Sequence, residues 1–358
     1  MAEPFETTVV GSMPKPPWLY RAAALDAKDS DHHGAGADWL LSGQELEEAQ
    51  NDAVRLAIYD QETAGVRIIS DGEQRRKSYL THVTSQLAGF DYETLAEKWI
   101  RDGRRKALVG RCTGPVEWLN PIVVNDLRFL LTNTTSPVKV TLPGPMTVVD
   151  STYDDFYGDE RAFALAVADA INREAKALDA LGPAVIQFDE PVFSRYPDKV
   201  AEWGIEALDR CADGLRAQTA VHICYSYAMP GVERPIRPSY PQILAELEHS
   251  QIDQLALEFQ APDLDPALLE LCPSKTVLFG CIDNADPKTE NAEQIALRLL
   301  AAAEHHDPEK IQAAPDCGLT LLTQSVARDK LSALFRGAQI ALDQLSGHSG
   351  GHHHGHDH

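Results

Sequence analysis

The chain has 358 residues, enough for one large barrel or two ordinary domains, and its 44% hydrophobic and 24% charged content is that of a globular protein. Thirty-two basic against 54 acidic residues leave a net charge of −22, a surface that repels nucleic-acid backbones and anionic membranes and argues against both as partners. Cysteines at 112, 211, 224, 272, 281 and 317 show no disulfide framework, no run approaches the ~18–20 apolar residues of a membrane span, and the opening MAEPFETTVVGS has no basic-then-apolar leader, so a cytoplasmic location with reduced thiols is expected.

In chain order, short apolar runs rich in Val and Ile recur at Thr7–Val10, Val66–Ser70, Val138–Leu142, Ala184–Phe188, Ala220–Cys224, Gln254–Phe259, Thr276–Gly280 and Lys310–Ala314. Their hydrophobicity is continuous rather than alternating, which marks strands buried on both faces, as in a parallel sheet. Helical periodicity fills the gaps at Gly43–Thr63, Arg161–Leu181, Trp203–Gln218, Tyr240–Glu248, Asn291–His305 and Arg328–Leu345. Strand–helix alternation around eight strands predicts a single (β/α)8 TIM barrel over residues 1–345. A doubly wound sheet should carry a Gly-rich phosphate turn, and neither G-x-G-x-x-G nor a Walker sequence is present.

The interval Asp71–Pro137, between the second and third strands, is too long for a minimal barrel. It reads as an excursion over the barrel mouth, with LVGRCTGPVEW as a small hairpin and Asn125–Leu131 as the outer helix. Asp150–Asp159 reads as a loop. The last stretch, 346–358, is almost all Gly and His and cannot bury a core, so it is expected to be a disordered tail that binds metal loosely.

Chemistry in such barrels sits at the carboxyl ends of the strands. The residues there are Gly11-Ser12, Asp71-Gly72-Glu73, Pro143-Gly144-Pro145, Asp189-Glu190-Pro191, His222 and Cys224, Glu258, Asp283, and Asp316-Cys317. In VHICYSY, His222 and Cys224 are two residues apart on a strand and leave the same face. Alone, that pair reads as core. Joined by Glu258 in LALEF and Cys317 in PDCG, it becomes two thiolates, an imidazole and a carboxylate, a set that closes a tetrahedral zinc site. The carboxylate is the labile member, which a substrate thiol can displace. Zinc holds a bound thiol as thiolate, the nucleophile for alkyl transfer. A closed structural zinc site and inert core cysteines are the competing readings; the first usually uses short C-x2-C pairs, absent here. Cys112, Cys211, Cys272 and Cys281 read as apolar fillers, and Asp283 as either a proton-transfer or orienting group or a turn aspartate.

The series TTVVGS, SDGEQRR, LPGPMTV, IQFDEPVF, VHICYS, LALEF, FGCID and APDCGL, from Thr7 to Leu319, resembles the catalytic half of cobalamin-independent methionine synthase. The resemblance implies a (β/α)8 barrel whose zinc activates the thiol of homocysteine. It places His222, Cys224, Glu258 and Cys317 at the family's zinc ligands, and Val10, Gly11, Ser12, Glu73 and Asp189 at its homocysteine-binding positions. Two carboxylates suit an ammonium group there, and the backbone of Gly11-Ser12 suits a carboxylate. The departures matter equally. The full-length family has two barrels and this chain has the length of one. Ser151 stands where the family has a tryptophan against the pterin, and Ala285 where it has a histidine for proton transfer. The resemblance is therefore to the short single-barrel type, which takes its methyl from a donor other than methyl-folate, a corrinoid or other accessory protein among them. An epoxyalkane:coenzyme M transferase is the near alternative: Arg75, Arg76 or Lys77 would meet its sulfonate, while Glu73 and Asp189 would repel it. A zinc-storage protein is suggested by the His-rich tail, and a porphyrin decarboxylase by the barrel alone; neither needs the His-x-Cys…Glu…Cys set.

Overall fold

Runs apolar on both faces become the strands of one parallel sheet, and the computed structural model describes this for residues 2–22, 37–225, 234, 236 and 238–349. The strands are β1 (Glu6–Thr7), β2 (Tyr20–Arg21), β3 (Asp38–Trp39), β4 (Ala88–Ile100), β5 (Arg105–Glu117), β6 (Lys139–Pro143), β7 (Thr152–Asp154), β8 (Val185–Asp189), β9 (Gln218–Ile223), β10 (Gln254–Leu257), β11 (Thr276–Ile282) and β12 (Ile311–Pro315). The main sheet runs β1-β12-β11-β10-β9-β8-β6, every pair parallel. The run Val66–Ser70 bridges its two edges, pairing Thr8 with Ile68 and Ile69 with Val138, both parallel. The ring of eight is thereby closed, and each of the eight expected runs is one of its members.

Helices cover the outside. Gly43–Ala64 buries Ala53, Val54, Ala57 and Ile58, and ends on Gly65, whose φ of 96° is the left-handed stop that favours glycine. Glu160–Asp179 buries Phe163, Val167, Ile171 and Leu178, and the Asp159 carboxylate caps it by accepting from Ala162 N–H. Tyr240–Glu248, Ala292–Ala303 and Gln324–Ser349 follow the expected pattern, and Val124–Thr132 is the predicted outer helix of the excursion. The expected helix Trp203–Gln218 is shorter: a π-helical turn, Val200–Gly204, leads into Ile205–Ala212. The final helix runs to Ser349, four residues into the predicted tail; 350–358 lie outside the described residues.

The excursion differs from its expected form. LVGRCTGPVEW lies largely in one strand of a much longer hairpin, in which β4 and β5 pair antiparallel over 13 residues each. Arg104 N–H donates to Arg101 O (3.3 Å) across the tip, with Asp102 and Gly103 at φ 57° and 73°, the mirror-image turn that matches strand twist. Asp150–Asp159 is not all loop either: Asp150 ends the helix Pro145–Asp150, and β7 adds parallel to β5. The tip is clasped onto the barrel. Arg101 donates to Asp150 Oδ2 from its backbone (3.1 Å) and its guanidinium (2.6 Å). Tyr196 Oη donates to Asp150 Oδ1 (2.7 Å) and accepts from Asp102 N–H (2.5 Å). Asp150 follows β6 and Tyr196 follows β8, so the hairpin spans the carboxyl-terminal mouth.

Candidate metal centre and amino-acid pocket

β9 and β12, with β10 and β11 between them in the ring, point their carboxyl ends to the same mouth, and three ligand atoms meet there. The side chains of His222, Cys224 and Cys317 lie within 4.8 Å of one another, all buried. His222 Nε2 is buried with no hydrogen-bond partner, an arrangement that costs free energy unless something binds there. Cys317 shares its proton with Cys224: the Cys317 S–H and the His222 imidazolium hold Cys224 well below the usual thiol range, while Cys317 is pushed up. Burial opposes charge on His222, but the Cys224 thiolate and Asp189 outweigh it and raise it to about 10. A thiolate stabilised by shared protons is a donor set for a cation, which displaces those protons when it binds. Two sulfurs and one imidazole fit zinc.

Glu258, the expected fourth member, is not in that group. It is fully buried at the end of β10, and its Oε2 accepts from Tyr225 N–H (2.9 Å) and from Arg234 Nη1 (3.1 Å), while Oε1 accepts from Arg234 Nη2. The guanidinium supplies the neutralising charge there. Arg234 also draws Cys224 toward its thiolate form. Sequence reading missed Arg234, because it lies outside any periodic element and its partner is 24 residues further on.

Neighbouring strand ends form a second cluster. Asp189, at the end of β8, has Oδ1 3.7 Å from His222 Nδ1 and accepts from Gln187 Nε2 (3.0 Å). Glu73 is buried at φ 54°, a conformation unusual for a non-glycine residue that marks functional turns. Burial first, and the Asp189 charge among the lesser causes, pushes its carboxyl up against the pull of Arg76 (3.3 Å). Gly11 packs closely beside it, so that a Cβ there would stand 3.1 Å from Glu73 Oε2. Val10 O accepts from Gln187 Nε2 (2.7 Å), and Gly11 O from Ser70 Oγ (2.5 Å). Ser12 Oγ is buried without a partner. Lys139, below them in the barrel, donates to Val9 O (2.9 Å), and burial lowers it to about 7 against the Asp189 charge. Val10, Gly11, Glu73 and Asp189 thus lie close together; Lys139 was not foreseen, because it reads as a lone charged residue inside the apolar run Val138–Leu142.

Two acidic neighbours turn out to be scaffolding. Asp316 accepts from the backbone N–H of Phe259 (3.0 Å), Gln260 (2.9 Å) and Ala261 (2.7 Å), fixing the segment after Glu258. Burial raises it to about 6. Glu190 accepts from Met146 N–H (3.1 Å) and Thr147 N–H (2.8 Å), and Gly144 has no room for a Cβ, which would lie 2.2 Å from the Glu190 side chain. Asp283 Oδ1 accepts from Ala285 N–H (2.8 Å) and Asp286 N–H (3.3 Å) of its own turn, the turn reading of that residue. Cys281 is buried and its thiol is pushed well up by burial, and Cys112, Cys211 and Cys272 are raised for the same reason. Arg75 pairs with Asn51 (2.6 Å), Arg76 with Glu73, and Lys77 with Asp38, so each has a partner already. Among the described residues no helix is long and apolar enough to cross a membrane.

Residues 5–339 match the family model for the catalytic domain of cobalamin-independent synthase. A methionine synthase of Sulfurisphaera tokodaii is 31% identical over 340 residues, 95% of this chain and 93% of that one; one of Pyrococcus abyssi is 29% identical at the same coverage. A B12-independent methionine synthase from Shewanella sp. W3-18-1, solved in complex with selenomethionine, superposes with a TM-score of 0.88 at 38% identity, over 96% of this chain and 99% of that one.

Proposed function

The chain belongs to the family of cobalamin-independent synthase catalytic domains, a methyltransferase of the methionine synthase type, and on that premise we propose that it transfers methyl to the thiol of homocysteine at a zinc held by His222, Cys224 and Cys317. The observation that carries the reading is the meeting of those three buried ligands beside the paired carboxylates of Glu73 and Asp189. Zinc, when bound, lowers the pKa of a coordinated thiol so that thiolate prevails near neutral pH. The remaining work falls to the chain. Glu73 and Asp189 receive the ammonium group, with Arg76 keeping the cluster from excess negative charge. Ser12 Oγ and the Gly11-Ser12 backbone receive the carboxylate. Glu258 is the exchangeable fourth ligand, for which Arg234 and Tyr225 N–H offer a second resting place when a thiol takes its position. The selenomethionine bound by the Shewanella relative is a methionine-like ligand, which suits an acceptor site of this shape.

The donor is proposed to be something other than 5-methyltetrahydrofolate, delivered by a corrinoid or other accessory protein. The coenzyme M alternative is weaker: Arg75, Arg76 and Lys77 are already paired, and a sulfonate would face two carboxylates. X-ray absorption at the zinc edge tests the acceptor side. With saturating homocysteine, the average sulfur count should rise by one over the two supplied by Cys224 and Cys317. An unchanged count would rule out thiol activation at this metal.

A further inference from the structure

One layer beneath the paired carboxylates, β6 and β8 each carry a buried hydrogen-bond donor. Thr141 and Gln187 stand opposite each other in the register of those strands, 2% and 0% exposed. Gln187 Nε2 donates to Asp189 Oδ1 (3.0 Å) and to Val10 O (2.7 Å). Thr141 Oγ1 donates to Glu73 Oε1 (3.2 Å), and Arg76 Nη1 donates to both Glu73 Oε1 (3.3 Å) and Thr141 Oγ1 (3.1 Å). Each carboxylate is therefore held by one oxygen. Among the described residues no donor is hydrogen-bonded to the other oxygen, Glu73 Oε2 or Asp189 Oδ2, so both are left for a ligand.

Stability alone does not call for these polar groups. Gln187 Oε1 is buried with no partner, and so is Arg76 Nε, and each such atom costs free energy in a core. An apolar side chain would fill the volume of Gln187 without that cost. What the polar groups accomplish is orientation. A carboxylate tied by one oxygen presents the other in a fixed direction, and hydrogen bonds to a carboxylate favour the charged form that an ammonium group needs. The bond to Val10 O ties the same amide to the segment that leads into Gly11 and Ser12, so the seats for the two ends of an amino acid share one anchor. Asp189 Oδ1 also faces His222 Nδ1 at 3.7 Å, so the tied oxygen is the one on the side of the metal centre.

We propose that Gln187 and Thr141 are the positioning residues of the ammonium seat, an inference that rests on Glu73 and Asp189 receiving the amino group of homocysteine. They set the preference for an α-amino thiol over the same thiol without the amine. Calorimetry on the zinc-loaded full chain tests it with two probes, homocysteine and 4-mercaptobutyrate, which lacks only the amino group. The parent should bind homocysteine about tenfold or more tighter than 4-mercaptobutyrate; equal affinity would refute the ammonium seat itself, and the inference with it. Gln187→Met should weaken homocysteine about tenfold, the loss expected of a hydrogen bond to a charged group, while 4-mercaptobutyrate stays within about twofold and the zinc content is unchanged. Thr141→Val should do the same, and Thr141→Ser, which keeps the donor, should bind homocysteine like the parent; this pair keeps the test open if Gln187→Met misfolds. With the parent's preference intact, parent-like homocysteine affinity in Gln187→Met and Thr141→Val would overturn the proposal. So would an equal loss of both probes in these variants, the mark of a general disturbance of the pocket.

Discussion

At the scale of the residue, the candidate metal centre is a set of three buried groups that share hydrogen bonds. Cys317 first, and His222 after it, hold the Cys224 thiol well below its usual range against burial, and a bound cation would take over both roles. Cys224→Ser or Cys317→Ser should therefore weaken zinc by more than the ~10–100-fold typical of losing an outer-shell partner, read by chelator competition. Cys281→Ser, at a buried cysteine outside the group, should leave zinc affinity unchanged. Lys139 makes a different prediction. Its folded-state value is about 7 against an ordinary 10.5, so between those values the unfolded chain binds more protons than the folded one. Its contribution to stability therefore rises with pH across that window, and its cost is greatest below pH 7. Lys139→Met should stabilise the fold by on the order of 1–4 kcal/mol at pH 6, as other buried ions do when replaced by apolar groups. That gain should shrink toward pH 10 in thermal unfolding. A gain independent of pH would mean that the lysine is solvated.

At the scale of the element, the strands were legible, and the hairpin only as a shorter one confined to LVGRCTGPVEW. The eight barrel runs announce themselves because both faces are buried. β4 and β5 are exposed along much of their length and broken by register shifts between Ala88 and Phe90 and between Asp91 and Ala96, so they show no clean alternation. The available signal was Asp102-Gly103, a strong hairpin turn pair. The grouping of His222, Cys224 and Cys317 was readable because the first two close β9 and the third follows β12. Arg234, which holds Glu258, was not, since a side chain reaching back from a loop leaves no periodic trace. Element packing also makes a prediction at β11. A Cβ on Gly280 would stand 2.1 Å from Asp316 Oδ1 and 2.7 Å from Leu257 O. Gly280→Ala must displace the carboxylate that anchors the segment after Glu258. It should cost about 1–3 kcal/mol or more, as overpacking does, with a lower Tm and weakened zinc. Unchanged unfolding would show that β11 and β12 can part at no cost.

At the scale of the molecule, one barrel with a clasped hairpin bears on the methyl donor. The tertiary amine of methyl-folate leaves only when protonated and well held, which calls for a pterin platform and a proton source. By the family resemblance, Ser151 stands at the platform position, and its Oγ accepts from Arg101 Nη1 (3.0 Å) and so serves the hairpin clasp. By the same resemblance Ala285, buried and without a titratable group, stands at the relay position. Losing one aromatic stacking contact costs about 1–3 kcal/mol, by analogy with nucleobases on protein aromatics, which is about one to two powers of ten in binding. Tyr153 and Phe156, 41% and 48% exposed near the base of the hairpin, and the half-buried Tyr157 are loop aromatics on that side. With purified protein, zinc and homocysteine, methionine should form slowly or not at all from 5-methyltetrahydrofolate. It should form with a methylated corrinoid or a fraction of cell extract. Turnover with methyl-folate in the ordinary enzymatic range of ~1–10³ per second would refute this and would mean that the loop beside the hairpin supplies the missing platform, which Tyr153→Ala and Phe156→Ala would then abolish.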